Sequence, residues 1–302
     1  MSRFLKALQR MEVEHQHWTA PEKVETSRES PASASIGPGN EGPLPERGPS
    51  TALALSAEQV LPANNVSFSP NSSTPIKGLP GTVTVREPLD LETVIERLRL
   101  RALPGREPGY CQMAAHILSQ LPPGPSAVFL FLSLPGDPTT TGALAPLAAV
   151  LGEALPAPVL GLDARSDRAE LAECFGLACR WTLAEVLAGQ TPIYEAVRKT
   201  PIGELFLLAG GASERMEWAN ISEESWAGLM GQLRKHYRLI LIDGGQHPHP
   251  GQKVLLDQCD GVYLVVHLGR TPKRLLHTVV ADLQQAGACV LGCIAAGSGR
   301  NR

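Results

Sequence analysis

Two aspartates and a threonine-rich loop each follow a run of apolar residues long enough to form a buried strand. The loop is PGDPTTT at 135–141, directly after Ala127–Ser133, and the aspartates are Asp163 and Asp243. A strand that leads through a glycine-containing loop into a helix is typical of a phosphate-binding loop, because the helix N-terminus offers free N–H groups. Carboxylate and hydroxyl oxygens are ligands that Mg²⁺ prefers. The pattern therefore predicts a phosphate and Mg²⁺ site at these strand ends.

The loop itself lacks the charge that such a site uses. The phosphate-loop motif asks for G-K-[ST], and this chain has Pro138, Thr139 and Thr140 at those positions. Proline has no N–H to donate, and the sequence contains no lysine from position 78 to position 198. Thr140 and Thr141 keep the hydroxyls that would meet Mg²⁺. N-capping of the following helix by a threonine explains these hydroxyls equally well.

The elements that must position these residues alternate between strands and helices. We predict strands at Ala127–Ser133, Pro158–Leu162, Leu205–Leu208, Arg238–Ile242, Gly261–His267 and Cys289–Ala295. We predict helices at Leu89–Leu100 with Asp90 as N-cap, at Tyr110–Leu121, after the threonine loop, after Asp163, and at Trp181–Ala188, Glu223–His236 and Pro272–Ala286. This alternation predicts an α/β fold with a doubly wound, mainly parallel sheet flanked by helices. Ligands bind such sheets at the carboxyl ends of the strands, where Gly136, Asp163 and Asp243 lie.

The chain divides by composition into three parts. Residues 1–17 have apolar residues at spacings of three and four, which predicts a short amphipathic helix. That helix is either a frayed terminus or a docking peptide for a partner or a membrane surface. Residues 18–86 are rich in Pro, Ser and Gly, which predicts a disordered linker. The P-loop NTPase-like domain is expected to occupy residues 87–302.

Composition also excludes several classes of protein. The net charge of −3 does not indicate the strongly basic surface that is typical of nucleic-acid-binding domains. Six cysteines at irregular positions, without a CxxC pair, predict reduced thiols. No apolar run approaches 18 residues, so no transmembrane segment and no signal peptide are predicted. We expect a cytoplasmic protein, with recruitment to the inner face of the membrane left open.

The order of these landmarks resembles the CpsD/CapB group of bacterial tyrosine kinases (BY-kinases), within the MinD/ParA-like P-loop class. Those proteins carry P-G-E-G-K-[ST]-T, then hhhhD-x-D-x-R, then Y-D-h-h-h-h-D-x-P-P. This chain has PGDPTTT at 135–141, LGLDARSD at 160–167 and YRLILIDGGQHP at 237–248. The likeness continues through ELFLLAGG at 204–211 and CDGVYLVVHLGRT at 259–271. It implies the P-loop NTPase fold of the MinD, ParA and BY-kinase type.

The resemblance implies a role for each matched residue. A vestigial phosphate loop would consist of the residues Gly136, Asp137, Thr139, Thr140, Thr141 and Arg165. Asp163 and Asp243 would be the catalytic carboxylates of an active enzyme, and Thr140 and Asp243 would hold Mg²⁺ if nucleotide binds. Arg165 stands where the family has a second acid. We predict that it turns toward the phosphate position and pairs with Asp243 or Asp163.

Other departures concern assembly and regulation. The family's E-x-x-R-x-x-R ring motif aligns with Pro108, Cys111 and Ala114, so none of its charged residues is kept. No tyrosine follows Tyr263, whereas the family ends in a tyrosine cluster. His247 and His249 are interpreted as surface residues rather than a metal pair.

These observations predict a degenerate BY-kinase-like pseudoenzyme, a non-catalytic interaction or regulatory module of capsular or exopolysaccharide biosynthesis. No cofactor is then expected, and the partner would be a membrane polysaccharide copolymerase or another protein of that machinery. The alternative is an active ATP-dependent protein-tyrosine kinase or ATPase that uses ATP and Mg²⁺ with a non-standard phosphate loop. A ParA-like DNA-partitioning ATPase is disfavoured by Leu134, Thr139 and the acidic balance.

Overall fold

The computed structural model describes residues 90–100, 108–136, 140–165, 169–211, 221–249 and 251–296. The predicted N-terminal helix at 1–17 and the predicted linker at 18–86 lie outside these residues. So do three residues of the phosphate loop, Asp137, Pro138 and Thr139. The domain boundaries therefore remain predictions.

The described residues form a seven-stranded sheet in which one strand pair alone is antiparallel. Its strands are β1 (Ala127–Ser133), β2 (Val159–Asp163), β3 (Val197–Lys199), β4 (Leu205–Leu208), β5 (Leu239–Gln246), β6 (Gly261–His267) and β7 (Val290–Ala296). The strand order is β3-β4-β2-β5-β1-β6-β7. Only the short edge strand β3 runs antiparallel to its neighbour β4. The predicted α/β fold with a mainly parallel sheet is confirmed.

Helices connect the strands. They are α1 (Leu91–Leu100), α2 (Pro108–Ser119), α3 (Thr141–Ala154), α4 (Glu170–Cys174), α5 (Leu183–Leu187), α6 (Ile193–Ala196), α7 (Glu223–His236), α8 (Gln252–Leu256) and α9 (Lys273–Gln285). Local sequence explains where several of them begin. The Asp90 carboxylate accepts the Thr93 N–H at 3.1 Å, as predicted for an N-cap, and Ser222 accepts the Ser225 N–H in the same way.

The central strand β1 and helix α3 supply much of the core. Every residue of β1 is buried, which explains its unbroken apolar sequence between two parallel neighbours. Helix α3 is rich in alanine and glycine, and small residues allow it to lie close to the sheet. A Cβ atom added at Gly152 would lie 2.6 Å from the Cβ atom of Leu205, so no side chain fits there. The Gly152 carbonyl also accepts the Glu204 N–H at 2.8 Å.

Strand β5 differs most from the sequence prediction, because it continues past Asp243 to Gln246. Two glycines make this extension possible. A Cβ atom at Gly244 would lie 2.6 Å from a methyl carbon of Leu130, and Gly245 has a positive φ of 67°. The His247 N–H then donates to the Ser133 carbonyl at 2.9 Å. The end of β5 is thereby fastened to the end of β1, beside the threonine loop.

Three short elements were not predicted. They are α6, the antiparallel strand β3 and α8, each of three to five residues. Segments of this length carry too few periods of apolar residues to produce a recognisable pattern. Within the described residues, every predicted strand and helix is present, with ends that differ by at most a few residues.

Candidate functional site

Asp163 and Asp243 end neighbouring strands and lie side by side. They are register partners in the parallel pairing of β2 with β5. Both side chains are fully buried. Since paired residues of adjacent strands point to the same face, two acids share one buried position at the carboxyl edge of the sheet.

Asp243 accepts hydrogen bonds from both retained threonines of the loop. The Thr140 hydroxyl donates to Oδ1 of Asp243, and the Thr141 hydroxyl donates to Oδ2 at 2.6 Å. The Gly245 N–H donates the third hydrogen bond that this carboxylate accepts, to Oδ1 at 3.0 Å. Thr140 is the residue before α3, but its side chain makes no capping bond. The interpretation of these hydroxyls as helix N-caps is therefore wrong for Thr140, and both hydroxyls join α3 to β5.

Asp163 is held by the backbone of its own loop. Its Oδ1 accepts the Arg165 N–H at 3.0 Å, and its Oδ2 accepts the Leu171 N–H at 3.4 Å. Gly210 leaves room for this carboxylate, since a Cβ atom at Gly210 would lie 2.9 Å from it. Asp163 thus connects β2 to the start of α4.

The Arg165 side chain reaches into the site and lies across Gly245. Its Nη1 donates to the Thr141 hydroxyl at 3.1 Å and forms an ion pair with Oε2 of Glu170 at 2.5 Å. A Cβ atom at Gly245 would lie 3.2 Å from Cγ of Arg165, so glycine permits this close contact. Arg165 turns into the site as predicted, but its ion pair is with Glu170 rather than with either aspartate, and the Thr141 hydroxyl lies between Arg165 and Asp243.

Burial raises the pKa of both aspartates. Loss of hydration and the neighbouring Asp243 charge raise the pKa of Asp163 to about 8, against the lowering effect of its backbone hydrogen bonds. Burial also raises the pKa of Asp243, while the threonine hydroxyls and Arg165 oppose that shift. Burial and mutual repulsion therefore favour a pair that retains a proton at neutral pH.

The remaining predicted site residues are less closely involved. Gly136 is exposed and has a positive φ of 80°, as expected at a tight turn. His247 is buried and shares a hydrogen bond of 2.8 Å with Gln252 Oε1, so its interpretation as a surface residue is wrong. The described residues contain no group of three His, Cys, Asp or Glu side chains that could hold a metal ion.

Sequence and structure comparisons place this geometry among known proteins. The tyrosine-protein kinase ptk of Acinetobacter johnsonii is 26% identical over 137 residues, which cover 45% of this chain and 19% of that kinase. The chain thus matches about a fifth of the length of this curated relative. The kinase domain of Escherichia coli tyrosine kinase ETK superposes with a TM-score of 0.54 and 20% identity, over 64% of this chain and 76% of that one. The VpsO kinase domain gives a TM-score of 0.52 and 23% identity, over 68% and 94%. No protein-family model matches the chain.

The chain has the BY-kinase fold. The solved structures confirm the predicted fold, which is that of BY-kinase domains, and the curated relative is a protein of the kind that the sequence resembles. In this fold, the positions aligned with the ring motif lie on α2. Cys111 and Ala114 are buried there in the hydrophobic core, so two of these three positions have become packing residues.

Two residues of the site were not predicted from the sequence. Glu170 lies five residues after Arg165, and its opposite charge is the only signal that could have identified it as a partner. Gly245 stands where the family motif D-x-P-P has its first proline, and its N–H bond to Asp243 leaves no pattern in the sequence. Within the described part of the chain, no helix is long and apolar enough to cross a membrane.

Proposed function

We propose that the chain is a non-catalytic interaction or regulatory module built on the BY-kinase fold, acting in capsular or exopolysaccharide production. The observation that supports this proposal is the phosphate loop, where Pro138 and Thr139 replace the glycine and lysine of the motif. A charge-assisted hydrogen bond contributes about 1.5–3 kcal/mol, and phosphoryl transfer depends mainly on such electrostatic contacts. Loss of the lysine and of one N–H donor should weaken nucleotide binding by orders of magnitude.

The hydrogen bonds of the site support the same proposal. The Thr141 hydroxyl lies between Asp243 and Arg165, and Arg165 is also paired with Glu170. The carboxylate oxygens of Asp243 already accept bonds from three donors of the protein itself. A bound metal ion would have to replace the two threonine hydrogen bonds. These internal contacts support a site whose polar groups pair with one another.

The side chains of the site are better suited to bind Mg²⁺ than to bind a triphosphate. The Thr140 hydroxyl and the Asp243 carboxylate are oxygen ligands of the kind that Mg²⁺ takes, and they would hold the ion if it binds. Burial raises the pKa of both aspartates, so a carboxylate would have to lose its proton before it held the ion. The charge needed to neutralise the phosphates is missing from the loop, so we assign no catalytic step to this site.

The alternative function is an active ATP-dependent protein-tyrosine kinase or ATPase. Arg165 favours it, since a guanidinium can bind phosphate directly and this one already lies beside Thr141. Its partner Glu170 would have to release it. The relative named tyrosine-protein kinase ptk supports the alternative by its name alone.

Titration calorimetry with ATP and Mg²⁺ tests the proposal. We expect no binding tighter than about millimolar, since the charge-assisted contacts of the loop are lost. The double variant Pro138→Gly with Thr139→Lys should gain measurable affinity, whereas Pro138→Gly with Thr139→Gln restores the N–H donor without the charge and should gain less. A micromolar dissociation constant for the unmodified protein would establish the alternative.

The proposed partner is a membrane polysaccharide copolymerase or another protein of the exopolysaccharide machinery. This proposal rests on the resemblance to CpsD/CapB proteins. Co-purification of the tagged full chain from its native host, followed by identification of bound proteins, would test it. Recovery of proteins unrelated to polysaccharide export would refute this part of the proposal and leave the nucleotide result unaffected.

A further inference from the structure

The turn between β6 and α9 carries an unusual concentration of exposed basic residues. We call residues 267–277 the cationic turn. Its exposed side chains include Arg270, Lys273, Arg274 and His277. Leu268 is 52% exposed and lies within the same turn. One of the few large apolar side chains that the described structure exposes is therefore followed closely in sequence by exposed basic residues.

The charge is segregated along the chain. No acidic residue occurs between Asp260 and Asp282. Residues 261–302 contain five basic residues and one acidic residue, a formal net charge of +4 in a chain whose total is −3. Asp260 lies at the amino end of β6, the far end of that strand from the turn. The positive field of the turn is therefore not cancelled by acids close to it in sequence.

Hydrogen bonds define the turn that exposes Leu268. The N–H groups of Arg270 and Thr271 both donate to the His267 carbonyl, at 3.2 and 3.0 Å. The Thr271 hydroxyl accepts the His267 N–H at 2.8 Å. The Leu268 N–H donates to the Ala296 carbonyl at 2.9 Å, which joins the turn to the end of β7. A single exposed leucine is ordinary on a protein surface, but this one lies in a hydrogen-bonded turn two residues before Arg270.

The basic residues lie at or just before the N-terminus of α9, where the helix dipole already places partial positive charge, and no acid occurs in the first turn of the helix. The dipole and the basic side chains therefore add to each other. This arrangement increases the attraction of the turn for anions, which is the property expected of a binding surface.

We propose that the cationic turn docks on the surface of an anionic phospholipid bilayer. Arg270 and Arg274 would contact the lipid phosphates, and Leu268 would enter the headgroup region. An apolar residue at a turn, followed by basic residues, fits a deformable anionic surface. This inference does not depend on the proposed function.

Co-sedimentation of the full chain with vesicles tests the inference. We expect binding to vesicles of phosphatidylcholine with about one quarter phosphatidylglycerol, little binding to pure phosphatidylcholine, and loss of binding at high salt. Each basic residue near such a surface strengthens binding about fivefold, so Arg270→Glu with Arg274→Glu should weaken binding at least 25-fold. Leu268→Ser should weaken binding about tenfold. The matched control is Arg99→Glu with Arg198→Glu, two exposed arginines elsewhere, and circular dichroism would verify the fold of each variant.

Three results would overturn the inference. The first is absence of binding to the anionic vesicles at low salt. The second is binding that survives the double charge reversal but is lost on Phe4→Ser with Leu8→Ser, which would assign the membrane contact to the N-terminal segment. The third is binding that depends on the arginines but not on Leu268, which would indicate a purely electrostatic surface suited to an acidic protein.

Discussion

Asp163 and Asp243 occupy equivalent positions at the ends of neighbouring strands, but their carboxylates accept hydrogen bonds from different kinds of donor. Both end a buried strand, both are fully buried, and burial raises the pKa of each. Asp163 accepts two backbone N–H groups from the segment that follows it. Asp243 accepts two side-chain hydroxyls from a different segment, together with the Gly245 N–H.

Because of this difference, the hydrogen-bond partners of one aspartate are fixed by the backbone, whereas those of the other could be replaced by a ligand. A backbone N–H cannot turn away without moving the chain, so the contacts of Asp163 are fixed. A threonine hydroxyl can rotate about its Cα–Cβ bond and present its oxygen to another ligand. Asp243 is therefore the carboxylate whose partners a ligand could replace, and Asp163 is the carboxylate that shapes the loop around it.

The largest expected effect is on the free energy of unfolding when Asp243 is removed. Asp243→Ala leaves two hydroxyls and one N–H buried without an acceptor, which should lower stability by about 3–5 kcal/mol. Asp163→Ala strands two backbone donors and should cost about 1–3 kcal/mol. Each substitution also removes the desolvation cost of a buried carboxyl group, which offsets part of both losses in stability. Urea unfolding measures them, and a greater loss for Asp163→Ala would reverse the comparison.

The next effect is a dependence of stability on pH. Asp163 has a raised pKa of about 8 when folded and an ordinary value near 4 when unfolded. Between these values the folded state binds the extra proton, so this group's contribution falls as pH rises from about 5 to 8, by at most about 1.4 kcal/mol per pH unit. Asp163→Asn should remove that slope. Urea unfolding of both proteins at several pH values gives the difference, and parallel curves would show that Asp163 is ionised when folded.

A smaller loss is expected from the hydroxyl that joins Asp243 to Arg165. Thr141→Val keeps the shape of the side chain and removes the donor to Asp243 and the acceptor for Arg165. Thermal unfolding should report a loss of about 1–2 kcal/mol. Thr278→Val is the control, because that hydroxyl is exposed and bonds only within α9. Equal effects of the two substitutions would indicate that the Thr141 bonds contribute nothing specific.

The smallest expected effect concerns the ion pair of Arg165. Glu170→Gln should lower stability by about 1 kcal/mol, since the side chains of Arg165 and Glu170 are only 10% and 23% exposed. Glu204→Gln is the matched control. Its pair with Lys199 is more exposed, and its loss should be within about 0.5 kcal/mol. If Glu170→Gln is as neutral as the control, Arg165 does not need Glu170 to keep its place.

The strand ends could be predicted from the sequence because burial leaves a strong pattern. An uninterrupted apolar run such as Ala127–Ser133, or the run that leads to Asp243, indicates a strand buried on both faces. The parallel arrangement then brings the strand ends together. Asp163, Asp243, Thr140 and Thr141 were placed correctly at one edge of the sheet for this reason.

The contacts within the site could not be predicted, because they depend on side-chain direction. The sequence does not show whether Arg165 turns to an aspartate or to Glu170, since both lie within its reach. Thr140 could equally have capped α3 or bonded Asp243. The burial of His247 depends on Gln252 in α8, a helix too short to leave a periodic pattern. Such choices are decided by packing between segments that are distant in sequence.

The close contact between Gly152 and Leu205 has a consequence for hydrogen exchange. Helix α3 is attached at both ends, through Thr140 and Thr141 to Asp243 and through the Gly152 carbonyl to Glu204. A helix held in this way cannot open from either end without disturbing the sheet. Its amide protons should therefore exchange with solvent together with those of β4 and β5, as one cooperative unit.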